Sequence, residues 1–308
     1  MKNFLFCCCI LVSSILTAQE VSKEPVLDSV LQLSKEEQLK MLYSNPQVLR
    51  TRKKSYETRD AYNDELKLYN DAIELHPENE ILYGFRGNFF LTTREFGKAI
   101  DDFSKSLELT DNMDIQLYSY MNRATAYLNI RNFQKGYEDL LKAYEIDPTN
   151  VGILINLGAV TDEIGKGDET IFYLEKAIQL NPDFYPAYGN LGFKYQEMGD
   201  HVKAIEYYDK VLELKPGEPL RYSNRAFNKL KIGDLEGAYR DINISISLYP
   251  ENSYAYMVRA LIYVEGGKLE EACDDLDHAL DEGFTEMYGD KVIQLKKQYC
   301  ANFEVLIE

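Results

Sequence analysis

The sequence predicts an all-α solenoid of stacked helical hairpins, on three observations. Pro148, Pro182, Pro216 and Pro250 each stand 34 residues after the last. Six blocks registered on these prolines agree column by column: 80–116, 117–150, 151–184, 185–218, 219–252 and 253–286. Large and small residues recur inside each block at helical spacing, and a fixed period of this length is the mark of a repeat architecture.

The columns justify the elements in order. The fourth position reads Tyr83, Tyr120, Leu154, Tyr188, Tyr222, Tyr256, and the eighth reads Gly87, Ala124, Gly158, Gly192, Ala226, Ala260. With the eleventh they share one face of a first helix. The twentieth reads Ala99, Gly136, Thr170, Ala204, Ala238, Ala272, and the twenty-fourth Phe103, Leu140, Leu174, Tyr208, Ile242, Leu276. With the twenty-seventh these share one face of a second helix, and the small residues let the two helices approach closely. Gly165, Gly199, Gly233 and Gly267 suit the turn between them, and the proline closes the second helix. One hairpin cannot bury its apolar face alone, so neighbours stack. Positions 21 and 28 are expected on that seam: Ile100 with Leu107, Tyr137 with Tyr144, Ile171 with Ile178, Ile205 with Leu212, Tyr239 with Ile246.

These offsets resemble the tetratricopeptide repeat (TPR): large at 4, small at 8 and 20, large at 24, small at 27, proline at 32. The resemblance covers about three-quarters of the chain. It implies a right-handed α-solenoid of about seven helix-turn-helix repeats with a C-terminal capping helix, and a function in binding other proteins rather than in catalysis.

The expected organisation along the chain is a signal peptide at 1–18, a helical lead-in at 19–45 and a degenerate repeat at 46–79. The six repeats follow, the first with a three-residue insertion near its end, then a capping helix at 287–308. Lys2, the apolar run from Phe4 to Leu16 and Thr17-Ala18 describe an export signal of bacterial type, cut after Ala18. The run is too short to span a bilayer core. The mature chain is then periplasmic or extracellular. An uncleaved anchor, or a lipoprotein through Cys7, Cys8 or Cys9, stands as an alternative. In the lead-in, Ser34 with Glu37 reads as a capping box. Arg50, Arg52, Lys53, Lys54 and Arg59 form a basic cluster at the start of the degenerate repeat, read as a solvated cap face or a docking patch.

Comparing repeats exposes a pairing. Position 7 is Arg86, Arg123, Arg225 and Arg259 where position 23 is Asp102, Asp139, Asp241 and Asp275. In the other two blocks both change together, to Leu157 with Tyr173 and Leu191 with Tyr207. Four structural salt bridges and two apolar contacts are expected. At the C-terminus Cys273 lies on the seam position facing the next helix and Cys300 near the end of the capping helix. The two are expected to form a disulfide, since exported proteins sit where such bonds persist.

The net charge of −17 argues against nucleic acid, whose phosphates demand Lys and Arg. It points to a soluble surface or to a partner with basic patches. The three histidines, His76, His201 and His278, occupy unrelated positions, with His201 expected at the surface. No phosphate loop or nucleophile elbow appears, so no cofactor, metal or catalytic residue is expected. In a TPR fold the first helices line a concave groove. Position 6 there reads Asn122, Asn156, Asn190 and Asn224, a row able to grip an extended peptide backbone. It resembles the asparagine ladder of O-linked N-acetylglucosamine transferases. Tyr118, Leu128, Phe193, Phe227 and Leu230 add an apolar wall. Lysines are absent from positions 2 and 5, so an acidic C-terminal tail is not the expected ligand; an apolar or aromatic peptide is. The alternative function is that of a structural subunit of an envelope assembly, docking through its convex face or basic N-terminal end.

Overall fold

The computed structural model describes residues 59–301. The segments expected as a signal peptide and a helical lead-in, the basic residues up to Lys54 and the tail from 302 lie outside the described residues. Among the described residues there are fifteen helices and no strand. They fall into two compact units that divide after Tyr173.

The first unit holds α1 (Arg59–Leu75), α2 (Glu80–Thr92), α3 (Phe96–Leu109), α4 (Met113–Asn129), α5 (Phe133–Ile146), α6 (Val151–Glu163) and the start of α7 (Gly167–Leu180). Its core gathers Phe89, Phe103, Ala99 and Tyr69 between α1, α2 and α3. The insertion in the block at 80–116 is absorbed as an extra turn at the start of α4, which has 17 residues where α2 and α6 have 13. No proline stops α3. Instead Asn112 caps α4, its side chain accepting from the backbone N–H groups of Asp114 at 2.8 Å and Ile115 at 3.3 Å.

The second unit holds the rest of α7, then α8 (Tyr185–Glu197), α9 (His201–Leu214), α10 (Pro219–Lys231), α11 (Leu235–Leu248), α12 (Ser253–Glu265), α13 (Leu269–Asp281), α14 (Phe284–Tyr288) and α15 (Lys291–Tyr299). Close approach of paired helices depends on the small residues. A Cβ on Gly192 of α8 would meet the Tyr208 ring of α9 at 2.9 Å. The expected seam residue Tyr239 proves 42% exposed, its ring lying against Tyr263 of α12. Its hydroxyl lies 3.4 Å from the Tyr263 hydroxyl, so the pair covers each other's rings and shares a polar tip.

Every hairpin turn has one backbone solution. The residue at position 15 is left-handed: Gly165, Gly199, Gly233 and Gly267, but also Arg94 (φ 63°) and Arg131 (φ 59°). The next N–H reaches back five residues, as in Lys166 to Thr161 at 2.8 Å and Asn132 to Tyr127 at 2.8 Å. This is the Schellman closure of a helix. Glycine adopts it without strain; the two arginines adopt it because the hairpin demands it.

The cap differs from the single helix expected at 287–308. Gly283 and Gly289, both left-handed, isolate the short helix α14, and α15 begins only at Lys291. Met287 therefore lies outside α15 and is 54% exposed. Phe284, Val292 and Leu295 are buried over the last repeat. Cys273 and Cys300 are joined, S–S 2.06 Å, across 27 residues of chain, and Lys296 pairs with Asp277.

Candidate functional site

The first helices of the hairpins carry the candidate groove residues. Asn122 on α4 and Asn156 on α6 belong to the first unit; Asn190 on α8 and Asn224 on α10 belong to the second. All four are half-buried. Among the described residues the side-chain amides of Asn156, Asn190 and Asn224 have no hydrogen-bond partner. Asn122 departs from that pattern: its Nδ2 donates to the Tyr118 carbonyl at 2.8 Å, one turn back on its own helix. One of its two N–H donors is thus spent internally.

The apolar wall is only partly as expected. Phe193 and Phe227 are half-buried on α8 and α10. Phe227 carries the Lys231 ammonium 5.3 Å above its ring and the His201 ring edge-on at 6.3 Å. Tyr118 does not line an open wall. Its ring stands edge-on to Phe103 at 6.2 Å and 3.7 Å from where a Cβ on Gly84 would be, so it fills the seam between two hairpins. Leu128 likewise lies between the helices of its own hairpin, 2.7 Å from where a Cβ on Gly136 would stand. Leu128 occupies space that a Cβ on Gly136 would need, whereas Tyr118 lies at ordinary contact distance from that of Gly84. Leu230 packs on the core of the last repeats.

Beneath Phe227 runs a polar chain that repeat comparison does not reveal. Asn228 is fully buried, and its Nδ2 donates to the Gln196 Oε1 at 2.6 Å and the Asn224 carbonyl at 2.8 Å. Its Oδ1 is therefore the atom 2.8 Å from His201 Nδ1. An amide oxygen only accepts, so Nδ1 carries the proton and, in the neutral ring, Nε2 the lone pair. Gln196 also bonds the buried phenol of Tyr254, which burial above all pushes well above the usual tyrosine range. His201 is thus half-buried and held, rather than at the surface as expected. Polar side chains at positions 10, 12 and 17 were the available signal, but they occur together at one seam only.

The arginines are structural, and each does more than pair within its hairpin. In all four, Nε and Nη2 donate to the two carboxylate oxygens of the partner Asp at 2.7–2.8 Å. In all four, Nη1 reaches the second helix of the preceding hairpin: Asn70 from Arg86, Ser104 from Arg123, Asp209 from Arg225, Asn243 from Arg259, at 2.7–3.0 Å. The guanidinium also faces the position-4 ring, 5.4 Å from Tyr256 in the Arg259 case. Each arginine therefore staples three helices. Burial is the largest single influence on Arg123 and opposes its charge, but the hydrogen bonds to Asp139 together with the charge of that carboxylate and the nearby Tyr127 and Tyr120 raise its pKa. Where the pair is absent, Leu157, Tyr173 and Leu191 are buried instead, and Tyr207 is half-buried, stacked on Tyr195 at 5.3 Å.

Among the described residues, no group of three or more His, Cys, Asp or Glu side chains is placed to hold a metal ion, and no helix is long and apolar enough to cross a membrane.

Comparison with known proteins agrees with this architecture. Family profiles described as "Tetratricopeptide repeat" match residues 117–150 and 185–218. Dynein axonemal assembly factor 4 of Pan troglodytes is 30% identical over 131 residues, 41% of this chain and 31% of that protein. Serine/threonine-protein phosphatase 5 of Homo sapiens is 29% identical over 100 residues, 32% of this chain and 19% of that protein. The chain thus spans about a third or less of the length of these relatives. A tetratricopeptide repeat protein from Parabacteroides merdae superposes with a TM-score of 0.61, at 17% identity, covering 85% of this chain and 99% of that one. YrrB, described as a TPR protein with an unusual peptide-binding site, superposes with a TM-score of 0.51, at 22% identity, covering 61% of this chain and 95% of that one. The fold is an all-helical solenoid of tetratricopeptide type.

Proposed function

We propose that this TPR chain is a non-catalytic scaffold that holds an extended segment of a partner protein against the first helices of its hairpins. Proteins built of such repeats are in general protein–protein interaction scaffolds. One observation carries the reading: in the second unit Asn190 and Asn224 recur at the same repeat position, half-buried, with amides unused by the fold. These amides are reached by solvent and are therefore open to a ligand. A peptide backbone, which offers one donor and one acceptor per residue, satisfies an amide that also donates and accepts. Phe193 and Phe227, three residues on from Asn190 and Asn224, add apolar contact on the same helices. YrrB illustrates that this fold accommodates a peptide-binding site. The export signal read in residues 1–18 would place the scaffold outside the cytoplasm, and amino-terminal sequencing of the natural protein tests the cut after Ala18.

The test is a double variant, Asn190→Ala and Asn224→Ala, assayed by fluorescence anisotropy against peptides selected on the natural chain. Each lost bond is worth about 1 kcal/mol, so two weaken binding by about 30-fold. The melting temperature should hold, because these amides bond nothing in the fold. Unchanged affinity would reject the groove.

A further inference from the structure

The second unit contains a half-buried cation that the fold supports but does not neutralise. Arg221 lies on α10, one turn before Asn224. Its guanidinium rests on the backbone of α8: a Cβ on Gly189 would stand 3.0 Å from Cζ and 3.2 Å from Nε and Nη2. Gly189 is buried in the interior of α8, where glycine is the poorest choice after proline. The absent Cβ leaves the space that the guanidinium occupies. Yet among the described residues Arg221 has no hydrogen-bond or ion-pair partner. Its five N–H donors stay available, in a fork that matches a carboxylate.

The surrounding charge strengthens the point. α10 carries Arg221, Arg225, Lys229 and Lys231 and no acidic residue, in a chain of net charge −17. Arg225 and Lys229 are neutralised by Asp241, with Asp209 also on Arg225. Arg221 and Lys231 are left, the latter touching only the Phe227 ring at 5.3 Å. Arg221, Asn224, Phe227 and Lys231 follow at intervals of three, three and four, one face of a helix. That face offers a cation, an amide, an aromatic ring and a second cation in order.

We infer that the segment held by this unit is acidic: an extended peptide with one side-chain carboxylate on Arg221 over Gly189 and a second near Lys231. The inference rests on the groove reading above and names its ligand class. Ten residues of helix separate the two cations, about 15 Å, which an extended chain covers in four or five residues at about 3.3 Å each. The expected ligand carries two acidic residues that far apart with an aromatic or apolar residue between them. A free C-terminal carboxylate is not required.

The probe is an array of N-acetylated, C-amidated decapeptides, each with two glutamates four or five positions apart around a phenylalanine, and a matched array with both glutamates replaced by glutamine. Binding to the full chain is read by fluorescence anisotropy. The glutamate peptides should bind about ten-fold or more tightly than their glutamine counterparts, and more weakly as salt rises. Arg221→Ala should abolish that preference, and Gly189→Ala should reproduce the loss by displacing the guanidinium from its seat. The glutamine peptides should lose much less affinity on these variants than the glutamate peptides do, because an amide gains less from the guanidinium than a carboxylate does. Equal binding of the two arrays, or a preference that survives Arg221→Ala, overturns the inference while the groove stands. Glutamate-independent binding lost only in the asparagine variant leads to that same result. Failure of both arrays to bind refutes the groove reading and this inference together. Binding of phosphatidylglycerol vesicles that needs Arg221, with no discrimination between the arrays, assigns the cation to lipid headgroups and also overturns it.

Discussion

Asp139→Ala leaves a guanidinium stranded, and the size of the effect measures what the staple does. Arg123 gives two hydrogen bonds to Asp139, at 2.8 and 2.7 Å, and a third to Ser104 at 2.8 Å. Its side chain is 19% exposed and that of Asp139 only 8%. Removing one partner of a buried pair costs about 3–5 kcal/mol; the residual exposure of Arg123 puts this case near about 3. At about 2–4 °C per kcal/mol for a chain of this size, the melting temperature falls by about 6–12 °C. The control is written into the protein. The next repeat carries Leu157 and Tyr173 at the same two positions, both buried. The double variant Arg123→Leu, Asp139→Tyr should therefore cost no more than about 1 kcal/mol, since an apolar pair replaces an ion pair without leaving a charge behind. Urea denaturation followed by circular dichroism supplies both values, and Arg123→Leu alone completes the cycle. If Asp139→Ala costs under about 1 kcal/mol, or the double variant costs as much as the single one, the guanidinium is not held by its carboxylate and the staple argument fails.

Two further outcomes follow from the turns and the cap. Arg131 holds φ 59° where other repeats have glycine, so Arg131→Gly should stabilise by up to about 1 kcal/mol, while Gly199→Ala, at φ 80°, should destabilise by about 1; thermal unfolding reads both, and a destabilising Arg131→Gly would show that the arginine side chain contributes more than its backbone strain. Cys273→Ser with Cys300→Ser opens a loop of 27 residues, worth about 3–4 kcal/mol in the chain-entropy treatment; urea denaturation of the double variant against the oxidised chain checks it, and equal midpoints would show that α15 docks without the bond.

What sequence comparison reaches, and what it misses, follows from repetition. The hairpins, their turns and the Arg–Asp columns are legible because each constraint recurs, so one block reads another. The third arm of the staple is half legible. Its acceptor column holds Asn70, Ser104, Asp209 and Asn243, which share a polar atom but no residue type, and Leu141 replaces it ahead of Leu157. The turn arginines were hidden because the hairpin imposes the left-handed backbone whatever residue stands there. The misplacement of Tyr118 has another cause: position alone puts it on the groove face, and its edge-on packing against Phe103 of the preceding hairpin is written in no column.

Features unique to one repeat have no counterpart elsewhere in the chain to reveal them. His201, Asn228 and Gln196 meet at a single seam, and Arg221 meets Gly189 at the same pair of hairpins. No other block supplies a column against which to register them. A repeat scaffold keeps its shared residues for stacking, since every hairpin must solve the same packing problem. Discrimination between ligands cannot come from what every hairpin shares. It has to come from departures such as the unpaired cation of α10 in a chain of opposite charge. On the proposed reading, asparagines that recur from repeat to repeat would hold a backbone of any sequence; Arg221, being singular, is where a preference for one sequence over another would enter.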